Sequence, residues 1–172
     1  MVEQEKAISL DVKSVATKVF YLSIFVAIAV AAPYFLNQLI TGSIVNALFF
    51  ISVSLLGIES AFFLCLIPSL ISIYTRLLPI ALAPMIPFIM TGNALLVLIF
   101  YKVSVKRGFW QGAIPAAIIK FAFIWAVGMV LVNSVLSGIA KNVMLMISWP
   151  QLATATAGAC IAYLFLKIIK KI

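Results

Sequence analysis

Glu59 and Lys120 are the two charges set within the long apolar stretches of this sequence, and Asn93, Trp125, Asn133, Trp149, Gln151 and Thr154 are among the polar and aromatic residues that accompany them. An ionisable side chain at membrane depth costs about 2.5–3.5 kcal/mol on insertion scales, so each such residue marks a functional position with a partner to be found. A buried amide carries the same obligation, met by a neighbouring helix or by a substrate. These groups can hydrogen-bond, stack and pair with a charge, but the apparatus for bond-breaking is thin. The chain has no histidine and four acids, three of which (Glu3, Glu5 and Asp11) precede the first apolar stretch, so a catalytic carboxylate pair is not expected. Neither a phosphate-cradling GxxxxGK followed by Ser or Thr, nor GxSxG, HExxH or paired CxxC occurs. Cys65 and Cys160 sit in apolar runs and read as small core residues. The expectation is a protein that is no enzyme and holds no metal or cofactor.

The elements that must position these residues follow from composition. Of 172 residues, 66% are hydrophobic and 9% charged, with mean hydropathy +1.28. Soluble domains run near half apolar and a quarter charged, and a small soluble domain buries too little of its surface to hide this much apolar area. Lipid is the implied solvent. Five apolar stretches are visible, Val19–Leu36, Ile44–Tyr74, Leu82–Tyr101, Ala113–Val135 and Val143–Leu166. A spanning helix needs about 17–25 residues. Ile44–Tyr74, at 31 residues, would form a helix of about 46 Å across a core of about 30 Å. Gly57 followed by Glu59 marks the place to divide it. The sequence thus predicts one all-α transmembrane domain over 1–172, a bundle of six helices at about 19–36, 44–56, 59–76, 82–103, 113–135 and 149–168, with residues 1–18 a cytoplasmic N-terminal segment.

Charge supports the same division, because cytoplasmic loops collect Lys and Arg. With six spans and a cytoplasmic N-terminus, nine basic residues lie inside and two, Arg76 and Lys141, outside; with five spans the split is five inside and six outside. Six spans put both termini in the cytoplasm. The net charge of +8 is then a feature of loops on one side and requires no nucleic-acid partner. Lys13 and Lys18 before an apolar run, and the small residues Ala27–Ala32, have the outline of a signal peptide. Pro33 crowds the best cleavage position and the run continues to Leu36, so the segment is expected to stay as a helix.

Several segments together resemble a known family. The first helix carries small residues at i, i+4 and i+8, namely Ser23, Ala27 and Ala31, and an uncharged loop follows. Then come TGSIVNALFF at Thr41–Phe50, the proline-rich LPIALAPMIP at Leu78–Pro87 and TGNALLVLIF at Thr91–Phe100. Over nearly the whole chain this resembles the substrate-binding S-components of energy-coupling factor transporters, which import vitamins and related micronutrients in prokaryotes. The resemblance implies a multi-pass protein of the prokaryotic plasma membrane that binds a small organic nutrient near the outer face. It further implies partnership with a transmembrane coupling protein and two cytoplasmic ATPase subunits. The stripe Ser23, Ala27, Ala31 would meet the coupling protein, since small side chains let helices approach closely in lipid; the same stripe would also serve packing inside the bundle.

The resemblance places a pocket in the outer half of the bundle. Asn37 and Gln38 fall in the first outer loop, a lid in this family, and Arg76 ends the third helix as ligand contact or interfacial anchor. Asn93 lies about 14 Å along the fourth helix from Pro84. Lys120 has two placements. A helix starting near Trp110 buries it about 15 Å deep, towards an anionic ligand or Glu59, whereas a start at Pro115 lets it snorkel to the cytoplasmic surface. Trp125 and Asn133 lie about 140° and 220° around the helix from Lys120, so a narrow pocket is not expected to use both flanks, and Trp125 with Asn133 is the preferred pair. Trp149 is a belt residue or a stacking wall, while Gln151, Thr154 and Gly158 share one face of the sixth helix. The shortage of histidine and cysteine favours an organic nutrient over a metal ion. The competing expectations are a scaffold protein of a membrane assembly and a self-sufficient secondary transporter; the latter has Glu59 as its one embedded acid and no clear internal repeat.

Overall fold

The computed structural model describes the backbone of residues 2–35, 37–76, 78, 80–134, 145 and 147–172, and side chains within 15–34, 37–72, 74–76, 78, 80, 82–131, 145 and 147–172. All regular structure among these residues is helical: α1 Val2–Phe35, α2 Gln38–Leu55, α3 Ile58–Tyr74, a 3-10 helix Ile80–Met85, α4 Ile86–Arg107, α5 Phe109–Ser134 and α6 Trp149–Ile168. Five segments are long and apolar enough to cross a membrane, and the apolar part of α3, Ile58–Ser72, is shorter. The chain is a multi-pass helical membrane protein.

The breaks have local causes. Asn37 caps α2, its Oδ1 accepting from the Ile40 N–H at 3.0 Å, which satisfies one of the orphan donors of a helix start. That cap starts α2 at Gln38, before the 44 expected from hydropathy: Thr41, Gly42 and Ser43 are too polar to register as apolar, yet they are helical. At the predicted division, Gly57 adopts φ +96°, open to glycine at no steric cost. The Leu56 and Gly57 N–H groups both donate to the Ser52 carbonyl, at 2.8 and 3.1 Å, and close α2.

Gly108 alone separates α4 from α5. Residues 108–112, which fall between the expected helices 82–103 and 113–135, are therefore mostly helical, and α5 begins at Phe109 instead of 113. The reason is aromatic packing. Phe109 lies 5.2 Å from Phe100 and 5.5 Å from Trp110, and Trp110 lies 5.1 Å from Tyr163 of α6, within the range of favourable edge-to-face and tilted pairs. This end of the bundle is also the basic end, with Lys102, Lys106 and Arg107 exposed on α4 and Lys167, Lys170 and Lys171 exposed at the end of the chain.

α2 and α6 approach each other closely. A Cβ added at Gly158 would stand 2.7 Å from the Asn46 Cβ, 2.8 Å from the Ala47 nitrogen and 2.8 Å from the Ser43 carbonyl oxygen. Ala155, Ala159 and Ala162 are buried with it, so small residues bring the two backbones together where lipid supplies no hydrophobic drive. α1 stands at the edge. It turns Phe25, Ala29 and Ala32 inward, whereas Ser23, Ala27 and Ala31 are exposed on its outer side. Of the two uses open to that stripe, packing inside this bundle is not the one realised.

Candidate functional site

At the end opposite the aromatic cluster, the helices part around a cavity of about 110 Å³. α2 lines it with Gln38, Thr41, Gly42 and Asn46, α3 with Pro68, Ser69 and Ser72, and α6 with Pro150, Gln151 and Thr154. Pro33 of α1, Asn93 of α4 and Lys120 of α5 complete its polar and proline walls.

Lys120 is the centre of the polar network. It lies 11 residues beyond Phe109, so about 17 Å along α5, and only 3% of its surface is exposed. Its Nζ donates to Asn46 Oδ1 at 2.6 Å and sits 5.9 Å from the centre of the Phe49 ring, at the outer edge of cation–π range. The Asn46 amide is fixed from its other side. Nδ2 donates to the Gly42 carbonyl at 2.8 Å and to Thr154 Oγ1 at 3.3 Å, and the Thr154 hydroxyl donates to the Gln151 carbonyl at 3.2 Å. Both neighbours of Nδ2 are acceptors, so the amide oxygen must face the lysine. A helix-to-helix relay thus holds the ammonium from α5 through α2 to α6.

The relay contains no carboxylate. Glu59 is exposed at the start of α3, nine residues before Pro68 and so about 14 Å from the cavity along that helix. Asp11 is 22 residues before Pro33 in α1, about 33 Å away along the axis. Among the described residues no hydrogen bond reaches the Asn93 amide, although only 4% of the residue is exposed and it faces the cavity. Such a cavity can bind and orient a small polar molecule; its lining offers no thiol, imidazole or carboxylate for chemistry on it. Among the described residues no group of acids, cysteines or histidines could hold a metal ion.

No family model, curated protein or solved structure matches the chain. The site therefore rests on its own geometry.

Of the residues expected from the sequence, Gln38, Asn93, Lys120, Gln151 and Thr154 line the cavity. Asn37 is the exposed cap of α2 and Arg76 is exposed with φ +56° just after α3; neither lines it. Trp149 is 58% exposed beside the lining residue Pro150, and Trp125 is 48% exposed on the outside of α5. The backbone of Asn133 belongs to α5, and its side chain, like Lys141, lies outside the described residues. The sequence favours the α5 flank of Trp125 and Asn133. The structure turns the Lys120 flank inward, because α5 starts early enough to carry the lysine far from the surface to which it would snorkel. The cavity also takes Asn46, Thr41, Ser69, Ser72 and Pro33, which are not among the site residues expected from the sequence. Asn46 had a visible signal, since Gly42–Asn46 and Thr154–Gly158 are both small–polar pairs four apart.

Proposed function

We propose that this protein is the membrane-embedded substrate-capture subunit of a micronutrient importer of the energy-coupling factor type, powered by a separate transmembrane coupling protein and two ATPase subunits. The observation that carries the reading is the cavity itself: Lys120 and Asn93, the latter with no hydrogen-bond partner among the described residues, are buried at one end of a largely apolar bundle. Polar groups at such depth are costly unless satisfied, and a captured organic nutrient would satisfy them. A scaffold has no use for such a cavity, and Glu59, the embedded acid a proton-coupled transporter would use, is remote from it.

Two further features support the reading. Ser23, Ala27 and Ala31 face outward on α1, leaving a close-packing strip available to a partner helix. The exposed basic residues of α4 and the C-terminal end lie opposite the cavity, and basic ends face the cytoplasm. In this reading both termini are cytoplasmic, the chain crosses the plasma membrane six times, and the cavity opens towards the outside. The test is affinity purification of the tagged full-length chain from its native membranes. Two ATPase subunits and a multi-span coupling protein are expected to copurify, and their absence from gently solubilised complexes would sink the proposal.

A further inference from the structure

Resting on the capture reading, we infer that the ligand is a small organic acid with a single carboxylate, seated against the Lys120 ammonium. Lys120 carries three N–H donors. One goes to Asn46 Oδ1, and no second acceptor from the described residues meets the group. An amide dipole is a weak counterpart for a buried cation, and a carboxylate accepting from an ammonium makes the stronger, charge-assisted bond. The chain cannot supply that carboxylate itself. Glu59 and Asp11 are far along their helices, and Glu3 and Glu5 lie farther still from Pro33 in α1.

The charge of the ligand follows from the cations present. Among the described residues Lys120 is the one cation in the lining; Arg76 is exposed and does not line the cavity, and Arg107 is at the opposite end. A single negative charge balances the described lining, whereas a phosphate monoester would bring a second with no cation among the described residues to meet it. The amide of Asn93 stands ready for the same molecule. A Cβ at its neighbour Gly92 would come 3.7 Å from Lys120 Cγ, so α4 passes close to the stem of the lysine, and Asn93 lines the same cavity. Asn46 holds the ammonium in place; on binding, the carboxylate takes the donors that Asn46 leaves over.

The test incubates the purified full-length protein with a small-molecule extract of the cells that express it and identifies retained compounds by native mass spectrometry. The expected compound carries one carboxylic acid, and its primary amide binds at least tenfold more weakly. Lys120→Gln is expected to lose at least tenfold in affinity for the acid and little for the amide. Asn46→Asp supplies an internal carboxylate to the lysine while giving up the Nδ2 bond to the Gly42 carbonyl; it is expected to lose capture of the acid. Retention of a neutral or cationic compound, or of a phospholipid, overturns the inference, as does equal binding of acid and amide or an unaffected Lys120→Gln variant. A retained neutral nutrient would leave the capture reading standing, whereas a wild-type protein that retains no small molecule would sink both.

Discussion

The Lys120 ammonium donates to the side-chain oxygen of Asn46 at 2.6 Å, across an interface between α5 and α2 and with no carboxylate nearby. Burying a lysine against a neutral amide has consequences, because that amide and the edge-of-range Phe49 ring are the contacts the described residues offer to a charge that water no longer solvates.

Removing that amide should be more damaging than removing the pair. Asn46→Leu leaves Lys120 buried without an acceptor and is expected to cost about 2–3 kcal/mol, read as a lowered midpoint in thermal unfolding of the detergent-solubilised protein. Asn46→Leu combined with Lys120→Met should recover most of the loss. Equal stability of the wild type and Asn46→Leu would show that the contact contributes nothing to the fold.

Gly158 tests the packing that frames the cavity. Its missing side chain lets α6 lie against the backbone of α2, and the atoms in the way are Asn46 Cβ, the Ala47 nitrogen and the Ser43 carbonyl oxygen, none of them a flexible tip. Gly158→Val is expected to destabilise by about 2 kcal/mol or more and to weaken ligand capture by pushing Asn46 and Thr154 apart. Unchanged melting would mean that the two helices can separate without penalty.

Asn93 and Trp125 offer a contrast within one assay. Asn93 faces the cavity with no partner among the described residues, so Asn93→Leu should reduce affinity roughly tenfold, the worth of one hydrogen bond to a ligand of about 1.4 kcal/mol, and leave the unfolding midpoint nearly unchanged. Trp125→Ala, on the outer side of α5, should leave binding as it is. The reverse pattern in equilibrium binding would move the site to the other flank of α5.

The outward strip of α1 separates docking from folding. Ala27→Leu and Ala31→Leu lie on an exposed face, where substitutions usually change stability by less than about 0.5 kcal/mol. They are expected to keep the melting temperature and ligand capture while abolishing copurification of the coupling protein. Normal copurification would free the strip from that role.

Orientation is open to chemical labelling. In a background with Cys65→Ala and Cys160→Ala, Arg76→Cys should react with a membrane-impermeant maleimide added to intact cells, and Lys106→Cys should react only after permeabilisation. Labelling in the opposite order would place the cavity on the cytoplasmic side.

Much of the fold was legible in the residues themselves. Composition alone demanded lipid as solvent, and the length of Ile44–Tyr74 together with Gly57 located the break between α2 and α3, because bilayer thickness limits a helix and a positive φ suits glycine. Hydropathy was blind to the start of α2, where Thr41, Gly42 and Ser43 face other helices and the cavity, and to the single-residue turn at Gly108, which depends on Phe109 and Trp110 finding Phe100 and Tyr163.

The site divides in the same way. Asn93, Gln151 and Thr154 could be picked out one by one, since a polar group in an apolar helix must find a partner. Which flank of α5 faces inward was not readable from angles within one helix. It depended on where α5 begins and on how closely Gly158 lets α6 approach α2, for only that approach aligns Thr154 with Asn46 and Asn46 with Lys120. The sequence by itself determined that this is a membrane bundle carrying a few expensive polar groups. Tertiary packing decided that they converge, because a hydrogen bond needs two atoms within about 3 Å, and residues 46, 120 and 154 are brought to that distance only by the folded helices.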